Sequence, residues 1–286
     1  MTILVPYDGS PHSEDALKLA ATSFADDSIL LLHVIEPFAN HTEAGGYTTQ
    51  RYNQEVNNAE MMLEDAASLL SDELSVETDV RYGRPAHKIV DVASEANVDQ
   101  IVLGSHGREG AKRLLLGSVA EAVVRRAPVP VTVIRQSTGA DSGTPEELLV
   151  PFDGSDQAKH ALSYAFEQYP DAEITVIYAV YPPPDVRDSE PETLPEELED
   201  WAQHLDDHTK GILELAKKYA NDRGRTVKTD TVTGDPSRGI VEYAEEHDPD
   251  HIVMGSHGRD GLKRLLLGSV AETVVRRAPT SVTVVR

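Results

Sequence analysis

Apolar and polar positions along the chain predict strands and helices in regular alternation. Short apolar runs at residues 3–6, 28–35 and 100–103 are bounded by turn residues, as expected for buried strands. Between these runs apolar residues recur at helical spacing, and Pro85 stands where a helix begins. Further helices are predicted around 16–20, 61–70 and 118–126, and further strands at 74–82 and 129–134. This alternation predicts an α/β fold, a doubly wound parallel sheet with helices on both faces.

The chain contains an internal repeat. Residues 104–128 (GSHGREGAKRLLLGSVAEAVVRRAP) and 255–279 (GSHGRDGLKRLLLGSVAETVVRRAP) are identical at 22 of 25 positions. The first predicted strand and its Asp-Gly-Ser turn also recur, at 3–10 and 148–155. Because the repeat spans several strands and helices, it indicates two copies of one domain fused head to tail.

Each copy has the length of a typical domain. We predict a first domain at residues 1–135, a polar linker at 136–147 and a second domain at 148–286. Each domain is expected to hold a five-stranded parallel sheet. The offset between the copies grows from 145 at the first motif to 151 at the last, so the second copy carries six extra residues. They fall in the Pro-rich, acidic run 181–200, which predicts a surface loop.

Acidic residues dominate the charge. The sequence has 49 Asp and Glu against 26 Lys and Arg, a formal net charge of -23. This balance disfavours bulk binding to nucleic acid and to anionic membranes, because both need clustered cations. Two interpretations stay open: the surface of a halophile's protein, whose self-repulsion is screened by high salt, and an ordinary acidic cytosolic protein.

Salt dependence separates these two interpretations. If the acidity is halophilic, we expect the fold to loosen on dialysis from about 2 M to about 0.1 M KCl, because the screening length grows to about 10 Å. Circular dichroism melting at both salt concentrations measures the change. An unchanged melting temperature would favour the ordinary acidic protein.

The sequence lacks both cysteines and long apolar runs, and each absence excludes a class of function. There are no cysteines, which excludes disulfides, zinc–thiolate sites and cysteine nucleophiles. No apolar run approaches the ~18 residues that cross a membrane, and the chain opens on strand-like residues without a basic-then-apolar leader. A cytoplasmic protein is therefore the expectation.

A glycine-rich loop follows the predicted fourth strand of each copy. Its spacing in the first copy is Gly104, two residues, Gly107, nine residues, then Gly117-Ser118. Glycines allow close backbone approach and positive φ, and Ser118 opens a helix whose free N–H groups favour an anion. The pattern is neither a Walker A loop nor a G-x-G-x-x-G fingerprint. It predicts a phosphate-binding loop, against the alternative of a turn that merely needs glycine. The second copy repeats it at Gly255, Gly258, Gly268 and Ser269.

Two aspartates are candidates for the same site. Asp8 and Asp153 stand at the end of the first strand of each copy, and strand ends in such sheets gather at the ligand site. Each could accept hydrogen bonds from a ribose or hold Mg²⁺ through water. The alternative is an N-cap to the first helix.

Other polar residues lie within the loop. Arg108 and Arg259 could pair with phosphate, and the alternative for them is a solvated loop. His106 and His257, which precede the second loop glycine, are interpreted as solvated loop residues. Two basic pairs at 112–113 and 263–264 add local positive charge to an acidic protein, which mildly supports an anionic ligand.

Together these motifs resemble the universal stress protein family, in the branch whose ATP-binding loop reads G-x2-G-x9-G-[S/T]. The Asp-Gly-Ser turn and a Gly-x-Pro after the third strand also match, in both copies. The resemblance implies five parallel strands in a Rossmann-like sheet, adenine-nucleotide binding and pairing through the fifth strands. The two halves would then form a pseudo-dimer within one chain, and a further homodimer could form. The resemblance also places the backbone near Val34 and Ala179 against the adenine.

The expected function is a stress-response protein that binds ATP or AMP with Mg²⁺ and acts as a sensor or regulator. A turnover enzyme has less support, because no nucleophile–base arrangement or metal-ligand cluster stands out around the loop. The alternatives are a slow ATPase on the same site and a nucleotide-independent interaction module whose loops are relics.

Overall fold

The computed structural model describes residues 1–36, 49–71, 73–107, 116–135, 144–181, 196–258 and 267–286, without side chains at 49–51 and 196–203. The chain divides into two units, Met1–Thr144 (unit 1) and Pro145–Arg286 (unit 2). Within these ranges every helix is too short or too polar to span a lipid bilayer.

Unit 1 alternates strands and helices as its sequence predicts. Its strands are β1 (Thr2–Pro6), β2 (Ser28–Ile35), β3 (Ser75–Tyr82), β4 (Gln100–Gly104) and β5 (Val131–Ile134). Its helices are α1 (Pro11–Ser23), α2 (Thr49–Ser68), α3 (Pro85–Glu95) and α4 (Ser118–Arg126). The strands pair in parallel in the order β3-β2-β1-β4-β5, which confirms the predicted fold class.

Unit 2 repeats this plan. Its strands are β6 (Glu147–Pro151), β7 (Glu173–Val180), β8 (Lys228–Thr233), β9 (His251–Gly255) and β10 (Ser281–Val285). Its helices are α5 (Asp156–Gln168), α6 (Glu196–Asn221), α7 (Pro236–His247) and α8 (Ser269–Arg277). The strand order is β8-β7-β6-β9-β10, again with parallel pairing.

The order of the strands positions the candidate site. In unit 1, the chain leaves β1 towards β2 on one side and later returns to the other side of β1 at β4. Such a reversal leaves a crevice at the carboxyl ends of the two central strands, where ligands of doubly wound sheets bind. In unit 2 the equivalent strands are β6 and β9.

Burial of apolar residues on the central strands fixes each sheet against its helices. Ile3 and Val5 on β1 are fully buried and pack against Ala16 and Ala20 of α1 in one core cluster. The helix begins at once after the strand because Ser10 caps it, its Oγ accepting a hydrogen bond from the Ser13 N–H at 3.3 Å. The core therefore holds the end of β1 and the start of α1 rigidly at the crevice.

Some boundaries differ from the predicted ones. Residues 196–200 of the predicted surface loop are the first turn of α6, while 182–195 lie outside the described residues. Glu147, predicted as the last linker residue, is the first residue of β6. Helix α2 begins at Thr49, twelve residues before the helical spacing becomes clear at Met61. The start of α2 is rich in polar residues, so it shows little apolar periodicity.

Candidate phosphate-binding site

The turn after β1 directs Asp8 towards the glycine loop. Asp8 Oδ1 accepts a hydrogen bond from the Ser10 N–H at 3.0 Å, and the helix cap is Ser10 itself. The alternative of Asp8 as the N-cap is therefore wrong. Its other oxygen, Oδ2, would lie only 2.7 Å from a β-carbon placed on Gly107. Unit 2 repeats the turn with Asp153 Oδ1 and the Ser155 N–H at 2.9 Å, and with Asp153 Oδ2 at 2.7 Å from a β-carbon on Gly258.

Both ends of the glycine loop meet in space. The Gly117 N–H donates to the Ser105 carbonyl oxygen at 2.8 Å, and the Gly268 N–H donates to the Ser256 carbonyl oxygen at 2.8 Å. One backbone hydrogen bond thus closes each loop at the carboxyl end of β4 or β9. The segments between, residues 108–115 and 259–266, lie outside the described residues, and they include Arg108 and Arg259.

The loop glycines are needed for space. A β-carbon on Gly104 would lie 2.6 Å from His12 Cβ, and one on Gly117 would lie 3.0 Å from the Ser105 carbonyl oxygen. None of Gly104, Gly107 and Gly117 has a positive φ, so the expectation of left-handed backbone at these positions is wrong. Because glycine has no side chain, the end of β4 can lie close to α1 and to the start of α4.

The start of α4 presents backbone N–H groups to the crevice. Gly117 is its N-cap in an extended conformation (φ −65°, ψ 149°), and as a glycine it supplies no side-chain acceptor. Ser118, the first helical residue, is exposed. Such a helix start favours an anion, because its N–H groups lack partners and carry the positive end of the helix dipole. Gly268 and Ser269 repeat this arrangement at the start of α8.

In unit 2 these parts line one cavity of about 770 Å³. That volume lies within the usual range for small-molecule sites. Its lining includes the polar or glycine residues Asp153, Ser256, Gly258, Gly268 and Ser269. It also includes the apolar residues Ile177, Ala179, Pro236, Ile240 and Val270. A ligand with both an anionic part and a flat apolar part matches this mixed lining.

The structure brings most of the predicted residues of unit 2 together. Six of them line the cavity: Asp153, Ala179, Gly255, Gly258, Gly268 and Ser269. In unit 1 the same loop closure and glycine contacts gather Asp8, Gly104, Gly107 and Gly117, with Ser118 at the start of α4. Val34 lies on β2, in register with Arg81 of β3, and is partly buried. The part that each residue plays in binding stays a prediction.

The loop histidines are only partly exposed, whereas the expectation was solvated loop residues. The Nε2 atoms of His106 and His257 are shielded from solvent and have no hydrogen-bond partner among the described residues. His106 Nδ1 lies 3.2 Å from Ser105 Oγ. Burial, followed by the nearby His12 and Arg135, lowers the pKa of His106 below its ordinary value. The position of each histidine just after the end of β4 or β9 therefore keeps its Nε2 atom from water.

Sequence reasoning missed His12. Its β-carbon and backbone pack against Gly104, and its ring centroid lies 5.5 Å from that of His106. One signal was available: residue 12 opens a helix at the end of β1, and the second copy has Gln157 there instead. The apolar wall formed by Pro236 and Ile240 of α7 was also missed, because it comes from a helix distant in sequence.

Metal binding by protein groups alone has no support in the described ranges. No group of three or more His, Asp or Glu side chains there could hold a metal ion. A divalent ion at this site would need oxygen ligands from elsewhere, such as a nucleotide's phosphates and water.

Sheet order and crevice define the chain as a pair of Rossmann-like α/β domains. The family model described as the universal stress protein family matches residues 1–135 and 146–286. The chain belongs to the universal stress protein family.

Individual relatives agree with this assignment. A universal stress protein of Mycolicibacterium smegmatis is 30% identical over 294 residues, which cover 99% of this chain and 96% of that protein. One of Methanocaldococcus jannaschii is 40% identical over 147 residues, covering 49% of this chain and 82% of that protein. The crystal structure of a universal stress protein from Archaeoglobus fulgidus has a TM-score of 0.70 at 25% identity, covering 100% of this chain and 96% of that one. The first and third relatives share the tandem extent of the chain.

Proposed function

We propose that each unit binds one adenine nucleotide, ATP or AMP, and that the chain acts as a nucleotide-dependent sensor or regulator in a stress response. One observation carries the proposal: in both units a backbone hydrogen bond closes the glycine loop onto an uncapped helix start. In unit 2 the residues at both ends of this loop line a cavity of about 770 Å³.

The phosphates lie at the start of α8. Gly268 and Ser269 line the cavity there, the first backbone N–H groups of the helix are available to an anion, and the Ser269 hydroxyl adds a donor. Arg259 lies outside the described residues, and its charge-assisted phosphate contact is proposed from its place in the sequence alone. In unit 1 the same parts are taken by Gly117, Ser118 and Arg108.

The adenine packs against apolar lining residues. These include Ile177 and Ala179 from β7 and Pro236 and Ile240 of α7. A planar heterocycle buries apolar surface there at about 25 cal/mol per Å². Val34 takes the position of Ala179 in unit 1.

Mg²⁺ fits this donor set as a companion of the nucleotide. One carboxylate per unit, Asp8 or Asp153, has an oxygen directed at the loop glycine. Mg²⁺ commonly keeps several waters and uses one or two carboxylates together with substrate phosphates. The bound ion would neutralise phosphate charge, and Asp8 and Asp153 would orient it through water.

Calorimetric titration tests the proposal. We expect ATP or AMP to fill two sites per chain, and Gly117→Val or Gly268→Val to leave one each. The added valine lies against the Ser105 or Ser256 carbonyl oxygen, 3.0 or 3.1 Å from a β-carbon, and blocks the helix start. Gly211→Ala, on an exposed stretch of α6 with no atom within 4 Å, is the matched control and keeps both sites.

Two other outcomes would assign a different function. If ATP, AMP and cyclic AMP all give no heat, the chain is a nucleotide-independent interaction module. If phosphate is released from ATP well above the level of a chain carrying both valine substitutions, the site is a slow ATPase.

A further inference from the structure

The two candidate sites differ in their imidazole groups. In unit 1, His12 of α1 and His106 of the loop stand side by side with ring centroids 5.5 Å apart. We call them the histidine pair. In unit 2 the loop histidine is His257, and Gln157 replaces the partner. Unit 2 therefore has one titratable ring where unit 1 has two.

The histidine pair lies beside the loop glycines of the unit 1 site. His12 packs on Gly104, and His106 is followed directly by Gly107. The equivalent His257 lines the cavity of unit 2. The Nε2 atom of His106 is buried and has no partner among the described residues, and we assign it as the donor to the bound anion.

Burial and nearby positive charge oppose protonation of His106 when no ligand is bound. Burial comes first in lowering the pKa of His106, followed by the neighbouring His12 and by Arg135, which lies after β5. Asp8, at the end of β1, approaches Gly107 and is the opposing negative charge. On β2, His33 has its Nδ1 2.7 Å from the Tyr7 carbonyl oxygen. The helix that carries His12 also carries Glu14 and Asp15.

We propose that nucleotide binding in unit 1 is coupled to proton uptake by the histidine pair, whereas binding in unit 2 is coupled much less. This inference rests on the proposed nucleotide sites. A bound polyphosphate brings several negative charges to the loop, and opposite charge favours the protonated imidazole. By linkage, a site that takes up a proton with its ligand binds more tightly as the pH falls. As the pH falls, nucleotide binding to unit 1 therefore strengthens more than nucleotide binding to unit 2.

The test compares the two sites within the full-length chain. Gly268→Val blocks the unit 2 site and keeps the unit 1 site, whereas Gly117→Val does the reverse. Each chain is titrated with ATP by calorimetry at about pH 6, 7 and 8, a range that spans the ordinary pKa of histidine. The phosphates of ATP titrate equally in both experiments, so the ratio of the two affinities isolates the protein. We expect the ratio of unit 1 to unit 2 affinity to rise about tenfold from pH 8 to pH 6, the effect of one pKa unit of coupling.

Exchange variants identify the responsible ring. His12→Gln, which copies Gln157, should remove most of this change, and Gln157→His should confer it on unit 2. His33→Tyr, which copies Tyr178, is the matched control and should leave the pH dependence in place. The proposal is overturned if the ratio of unit 1 to unit 2 affinity stays constant within about twofold from pH 8 to pH 6. It is also overturned if His33→Tyr alters the pH dependence of that ratio and His12→Gln does not.

Proton counting gives a second measurement on chains without valine substitutions. Titration in two buffers of different ionisation enthalpy yields the number of protons taken up per ATP bound. We expect His12→Gln to lower that number, and equal numbers would overturn the coupling. ATP binding that is absent at every pH would instead remove the proposed function itself, so the two failures are distinguishable.

Discussion

Replacing His251 with glutamine is expected to remove much of the acid sensitivity of unit 2. His251 opens β9 and is fully buried, with its Nε2 2.7 Å from Thr283 Oγ1. Burial, which outweighs the nearby Asp250, lowers its pKa from the ordinary value of 6.5 to about 4. The Nδ1 atom has no partner among the described residues, so nothing there compensates a charge on the ring.

The direction of the pH effect on stability follows from which state of the chain, folded or unfolded, binds the proton first. Below pH 6.5 the unfolded chain takes up a proton on this ring, whereas the folded chain does not until pH falls to about 4. The stabilisation is therefore complete above pH 6.5 and is lost between these two values. The separation of the two pKa values corresponds to about 3 kcal/mol of unfolding free energy.

Unit 1 supplies the control residue. Gln100 occupies the equivalent position and donates from Nε2 to Thr132 Oγ1 at 2.8 Å, so His251→Gln keeps a hydrogen bond and removes the titration. Urea unfolding of the parent and of the variant is followed by far-ultraviolet circular dichroism, and the difference between the two chains isolates His251. Between pH 7 and pH 4.5 we expect the parent to lose about 2–3 kcal/mol more than the variant. Equal losses would show that His251 is not the acid-sensitive group.

The second large effect is expected at Gly255. A β-carbon there would lie 2.9 Å from the Gln157 backbone carbonyl carbon and oxygen, and a backbone cannot move away as a flexible side chain can. We expect Gly255→Ala to destabilise unit 2 by about 1–3 kcal/mol, the usual cost of overpacking. It should also weaken nucleotide binding in unit 2, because the end of β9 carries the loop.

Gly211→Ala is the matched control for this substitution. Gly211 lies inside α6 with no atom within 4 Å of its added β-carbon, so alanine should stabilise the helix by about 0.5–1 kcal/mol. Urea unfolding followed by far-ultraviolet circular dichroism measures both variants. A Gly255→Ala chain as stable as the parent would contradict the close approach of β9 to α5.

Much of the fold could be predicted because local signals agree with one another. The strand at 28–35 and the helix starting at Pro85 were predicted with the bounds that the structure has. The start of α2 could not be placed, because its polar residues show no apolar periodicity. Local pattern therefore located the buried elements better than the exposed ones.

Site prediction was limited by contacts between distant residues. The glycine spacing pointed to a loop after β4, yet the approach of His12 to Gly104 depends on how α1 follows β1. Likewise, the hydrogen bond between the Gly117 N–H and the Ser105 carbonyl oxygen joins residues twelve positions apart. Neither contact leaves a mark in the local sequence, although the His12-to-Gln157 difference between the copies pointed to the position.

Backbone amide resonances of the isotope-labelled chain test the central claim most directly, because the claim is that main-chain N–H groups hold a nucleotide's phosphates once per unit. On saturation with ATP, we predict large shifts for the amides of Gly107, Ser118, Gly258 and Ser269, and none for Gly211. The claim would be contradicted if none of these four amides shifted at saturating ATP. It would also be contradicted if the same shifts persisted in a chain that carries both Gly117→Val and Gly268→Val.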